Sequence, residues 1–130
     1  MRRHFDHAFD YRLLDFEAEA VDSYLTFGRA IDLFGDGSVR VVSTPGHTRG
    51  HMSVLLRLGE GREVLLAADA GYTMENIREG VLPNPLTNHD DHLWQRSVRE
   101  IQLYMRERPD ATVVPSHDLK AVEGLGDVHE

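Results

Sequence analysis

Apolar and polar positions change rhythm along this chain, and the changes mark its elements. From Phe5 to Leu33 the apolar residues (Phe9, Leu13, Leu14, Phe16, Val21, Leu25, Phe27, Ile31) fit neither the strand nor the helix period. One helix around Phe16 to Tyr24 is the element this opening segment predicts. Gly35-Asp36-Gly37-Ser38 then offers a turn. Three apolar runs follow: Val39 to Ser43, Met52 to Leu58, and Glu63 to Ala68. They are separated by Pro45-Gly46-His47-Thr48-Arg49-Gly50-His51 and by Gly59-Glu60-Gly61-Arg62, so they read as an antiparallel meander. Between Gly71 and Asn88 the Gly, Pro and Asn content, with Pro83 and Pro85, predicts a long loop without regular structure. Leu93, Trp94, Val98, Ile101, Tyr104 and Met105 recur at helical spacing, with Asn88 or Asp90 as cap and Pro109 as stop. A short strand from Ala111 to Pro115 leads into Ser116-His117-Asp118, and the polar tail beyond Val122 is expected to fray.

Chemistry collects where the apolar runs stop. His47 lies at a turn that Pro45 and Gly46 force, Asp69 follows the third run, and His117 follows the last. If these strands are neighbours, the three side chains share one rim. Imidazole nitrogen and carboxylate oxygen suit a borderline divalent metal, and three protein ligands plus water make a catalytic site. A carboxylate can also bridge two metals through its two oxygens. The blander alternative is a cap or turn aspartate and two ordinary histidines.

Composition narrows the chemistry. The chain has 130 residues, 41% of them apolar, and no cysteine. That length suits one domain or part of one, and the apolar share can build a core. Without cysteine, a transition-metal site has to draw on His, Asp or Glu, and the eight histidines are a rich supply. A formal net charge of −8 disfavours nucleic acid as a partner. No apolar run reaches transmembrane length and no signal-peptide core follows Met1, so a cytoplasmic protein with no membrane partner is expected.

The motifs around these residues resemble those of the metallo-β-lactamase superfamily. Thr44-Pro45-Gly46-His47-Thr48-Arg49-Gly50-His51-Met52-Ser53 is similar to its third metal motif, Leu65 to Thr73 to its bridging-aspartate motif, and Val113 to Asp118 to its last histidine motif. The Asp69-Ala70-Gly71-Tyr72-Thr73 run most resembles the N-acyl-homoserine lactonase branch. The resemblance implies an α+β fold, the αββα sandwich, with two divalent metal ions, commonly zinc, and a hydroxide held on them that opens a lactone or ester. On it, His47 ligates the first metal, His117 the second, and Asp69 bridges both. Tyr72 matches the tyrosine that stabilises the substrate carbonyl. His51 is then a support for the turn, and Asp118 an orienting neighbour.

The sequence departs from the family at its start. The H-x-H-x-D-H motif has no complete copy; Arg2-Arg3-His4-Phe5-Asp6-His7 resembles only its end. Residues 1–130 therefore read as a partial domain, little more than the C-terminal half of the sandwich, with 1–34 a poorly defined opening and 35–118 the metal-motif region. The expectation is a truncated product or a piece of a longer sequence, its open sheet face covered by self-association or by a missing segment. Three functions compete: a lactone-ring hydrolase acting on a small lactone or ester, a thioesterase of the glyoxalase II type, and a non-catalytic remnant or association module.

Overall fold

The computed structural model describes residues 13–18, 21–82 and 90–123. Its strands form one six-stranded sheet whose spatial order is the chain order. These are β1 (Asp22–Tyr24), β2 (Phe27–Asp32), β3 (Val39–Ser43), β4 (Met52–Arg57), β5 (Glu63–Ala68) and β6 (Thr112–Pro115). Neighbours from β1 to β5 are antiparallel, as short turns allow. β6 pairs with β5 in parallel. A parallel partner needs a long crossover, and α1 (Met74–Glu79) and α2 (Asp91–Glu107) lie in that connection. A short helix, α3 (Leu119–Glu123), follows β6.

The core lies between α2 and one sheet face. Phe27, Ala30, Val42, Leu55, Leu65, Ala67 and Val113 meet Ile101 and Tyr104 of the helix and Ile77 of α1. The period of two places Val42, Leu55 and Leu65 on this face. The adjacent residues Val41, Val54 and Leu66, which pair with one another across the strands, share the other. The expected apolar stripe of α2 buries Trp94, Val98, Ile101 and Tyr104, with Ser97 among them. Asp90 caps the helix, its carboxylate accepting from the Leu93 amide at 3.1 Å.

One buried polar group ties the layers together. Glu63 is 2% exposed, yet its carboxylate accepts from the Tyr24 hydroxyl at 2.5 Å and from Tyr104 at 2.8 Å. Arg108 lies 3.8 Å from the same carboxylate. A buried charge survives only with such partners, so β1, β5 and α2 are held at one point.

Two expectations for local structure give way. Among the described residues the helix around Phe16 to Tyr24 is absent: residues 16–18 make a turn, and Asp22–Tyr24 begins the β1–β2 hairpin. Tyr24 in a strand can reach Glu63 and lie under the Arg40 guanidinium, 4.2 Å from its ring centroid. The loop from Gly71 to Asn88 contains α1, closed by a reciprocal cap between Thr73 and Asn76 and anchored by the fully buried Ile77. Residues 83–88 of that loop and residue 89 after it, the tail beyond residue 123, and His4, Asp6 and His7 lie outside the described residues. No described helix is long and apolar enough to cross a membrane.

Candidate metal centre

The turn carrying His47 is held from below by α2. The Asp90 amide donates to the Gly46 carbonyl at 2.9 Å, and the Ser97 hydroxyl to the Pro45 carbonyl at 2.6 Å. Gly46 has φ of 149°, and a Cβ there would stand 2.5 Å from Trp94 Cα. Only glycine lets the turn and helix approach this closely.

A second set of bonds joins that turn to the sheet. The Thr44 hydroxyl lies 2.8 Å from the Ser53 hydroxyl and 3.0 Å from His51 Nδ1, and Ser53 donates to the Ala67 carbonyl at 3.1 Å. His51 Nδ1 is also 2.9 Å from the Thr44 carbonyl. Burial pushes the His51 imidazole below its ordinary value, although the Thr44 carbonyl and Asp69 pull the other way. A neutral ring that donates from Nδ1 to a carbonyl braces the turn.

Asp69 is aimed by strained backbone. Ala68 has φ of 50°, unusual for a residue with a Cβ, and the β5–β6 register slips between Leu66 and Ala68. Such a conformation costs on the order of 1–3 kcal/mol and persists where the surroundings enforce it. Here the Ser116 amide holds the Ala68 carbonyl at 3.3 Å, and the Ser116 hydroxyl donates to Asp69 Oδ1 at 2.5 Å. Ser116 carried no distinguishing signal in the sequence beyond its place beside His117.

The expected site residues come together at this edge. His47 Nε2 lies 3.5 Å from Asp69 Oδ2, and His117 Nε2 lies 3.6 Å from Asp69 Oδ1. Each carboxylate oxygen thus faces a different imidazole. Tyr72 spans the two rings: its hydroxyl is 3.1 Å from His47 Nδ1, and its ring meets that of His117 edge-on at 5.2 Å. Its carbonyl accepts from the His117 amide at 2.9 Å. Asp118 points elsewhere, accepting from the Met74 amide at the start of α1 at 3.1 Å.

The donor chemistry fits divalent cations. Two ligand atoms at bond lengths of about 2.1 Å on a tetrahedral ion stand roughly 3.4 Å apart, close to both separations here. Among the described residues no three His, Asp or Glu side chains surround one point; the arrangement is two donor pairs that share Asp69. A profile of the metallo-beta-lactamase superfamily matches residues 5–117. The chain belongs to that superfamily. Among its relatives, an N-acyl homoserine lactonase AttM of Rhizobium radiobacter is 42% identical over 87 residues, covering 67% of this chain and 32% of that protein. An N-acyl homoserine lactonase of a Bacillus species is 36% identical over 87 residues, 66% of this chain and 33% of that one. A solved N-acyl homoserine lactone hydrolase with N-hexanoyl-L-homoserine at its catalytic metal centre superposes with a TM-score of 0.60 at 26% identity. That match covers 73% of this chain and 36% of the other. This superfamily member thus spans about a third of the length of the curated relatives it matches. Its sheet and helices correspond to a part of the metallo-β-lactamase fold.

Proposed function

We propose that the chain carries the metal-binding rim of a lactone-ring hydrolase of the N-acyl-homoserine lactone type. The observation that supports this most is Asp69, whose two oxygens each lie near a different imidazole, Oδ2 near His47 and Oδ1 near His117. The names of the relatives point to the substrate class.

His47 and Asp69 would hold one cation, and His117 and Asp69 a second. Such ions, commonly zinc in the superfamily, would supply Lewis-acid polarisation and a water made acidic enough to attack at neutral pH. The chain's own contribution is placement. Asp69 fixes the spacing of the two halves and keeps negative charge between them. Tyr72 stands at the rim with a hydroxyl that can donate to a carbonyl oxygen as charge develops on it, an effect that is strong where water is excluded. Ser116 and the strained Ala68 backbone hold the carboxylate in that orientation.

The test is metal content and lactone opening by the purified chain, followed as acid release. Bound zinc together with ring opening, both lost in Asp69→Asn, is the expected outcome. A chain that opens the ring equally well after Asp69→Asn, or that binds no zinc, overturns the proposal. Preferential cleavage of thioesters would move the assignment to the thioesterase reading.

A further inference from the structure

Tyr72 holds His47 in a way the carbonyl-polarising role does not require. His47 has two ring nitrogens, and each has a partner. Nε2 faces Asp69 Oδ2 at 3.5 Å, and Nδ1 faces the Tyr72 hydroxyl at 3.1 Å. The first is an ion-pair distance and the second a hydrogen bond; a neutral imidazole carries its proton on one nitrogen only, so a ring protonated at Nε2, toward the carboxylate, leaves Nδ1 to accept. The Asp69 carboxylate can only accept. A phenol hydroxyl can do either, which makes Tyr72 compatible with both tautomers of the ring.

We infer that Tyr72 is a positioning residue for His47, and that its hydroxyl reverses direction when a divalent cation occupies Nε2. In the metal-free protein, Nε2 keeps its proton facing Asp69 and the Tyr72 O–H donates to Nδ1. Coordination needs the Nε2 lone pair, so the ring proton resides on Nδ1 and is donated to the Tyr72 oxygen. The phenol's single O–H is then released from Nδ1 and free to meet a substrate carbonyl. One proton changes place on the imidazole, and none is gained or lost by the phenol. The ring keeps its heading throughout, because the same two atoms remain in contact.

The surroundings favour a fixed hydroxyl. Tyr72 is half-buried, its carbonyl is tied to the His117 amide, and its ring lies edge-on to both histidine rings. Thr73, next in the chain, caps α1, and the Met74 amide is bound by Asp118. The phenol is therefore carried on a segment anchored at both sides of the site.

The reversal rests on the metal-site reading, whereas the Tyr72–His47 contact does not, and the experiment separates the two. Long-range proton–nitrogen correlation spectra of the full chain, recorded at one pH above the imidazole range, report which ring nitrogen carries the proton and which accepts a hydrogen bond. In the metal-free wild type, His47 Nδ1 is expected to read as a hydrogen-bonded acceptor. In Tyr72→Phe it should move to the position of an unbonded one, while His51 stays unchanged. Adding zinc to the wild type should convert Nδ1 to the protonated form. Competition with a chelator should show zinc held about tenfold or more weakly by Tyr72→Phe, the size typical of losing a group that orients a ligand. A His47 Nδ1 resonance identical in wild type and Tyr72→Phe overturns the positioning role. Zinc binding that leaves Nδ1 unprotonated overturns the reversal. A wild type whose Nδ1 behaves as expected without metal, but which takes up no zinc, retains the positioning role and removes both the reversal and the metal-site reading.

Discussion

At the residue scale, the site depends on backbone that most side chains would not tolerate. Gly46 is the sharpest case. Its carbonyl receives the Asp90 amide, its φ is 149°, and a Cβ would meet Trp94 backbone at 2.5 Å. Trp94 cannot yield, because it is 1% exposed in the first turn of α2. Gly46→Ala therefore has to part the turn from the helix, at an expected cost of about 2–4 kcal/mol. Denaturant unfolding would show it as a lower midpoint with unchanged slope. The need for a residue without a Cβ was legible, since Pro45-Gly46 announces a sharp turn. The reason was not: the obstructing atom belongs to Trp94, 48 positions along the chain (94 minus 46). Ala68 was illegible for a different reason. Alanine gives no hint of a left-handed backbone, and the Ser116 amide that bonds its carbonyl comes from just beyond β6.

At the scale of elements, the apolar pattern located β3, β4, β5, β6 and α2: α2 writes one buried stripe into its sequence, and the strands stand out as apolar runs, β5 and β6 being buried at most positions. The β1–β2 hairpin escaped. Its turn runs through Leu25 with φ of 49°, a residue with no turn chemistry, so nothing local marks the reversal. α1 escaped because six residues are too few for a helical period to be visible, and its Thr73–Asn76 cap is a variant of the usual pairing. The hairpin is instead specified by Glu63, which gathers Tyr24 and Tyr104 across three elements. Burial, then the bond to Glu63 and its charge, push the Tyr104 phenol well above its ordinary value. Unfolded, that phenol loses its proton near its usual value of about 10; folded, it holds on. The folded state binds more protons in that window, so stability is intact below it and declines as pH climbs through it. Tyr104→Phe should flatten this alkaline decline. At neutral pH it should cost about 1–3 kcal/mol, because Glu63 loses one of its donors. Unfolding curves at neutral and alkaline pH would test both effects, and an equally steep alkaline loss in the variant would count against the clamp.

At the scale of the molecule, the candidate site exists because a parallel strand was added to an antiparallel meander. β6 returns beside β5 after the α1–α2 crossover, which carries His117 to within 3.6 Å of a carboxylate 48 residues earlier (117 minus 69). The three strand ends and the motif likeness announced a carboxylate shared by two histidines, but not the parallel pairing of β6 with β5 that places it between them. That sharing has an energetic signature. A cation that binds only the folded chain raises its stability by about 2.7 kcal/mol at a hundredfold excess over the dissociation constant. Zinc should therefore raise the melting temperature, and a chelator should reverse the gain. His47→Ala and His117→Ala each remove one donor pair and should each lose part of the increment. Asp69→Asn weakens both pairs at once, so its loss should match or exceed the larger of the two. If the two halves are coupled through Asp69, the double histidine variant should lose less than the sum of the single losses, since the second substitution acts on a site already disabled. Strict additivity of the two histidine effects, with Asp69→Asn equal to only one of them, would mean that the carboxylate serves a single cation and that the second pair is a surface contact.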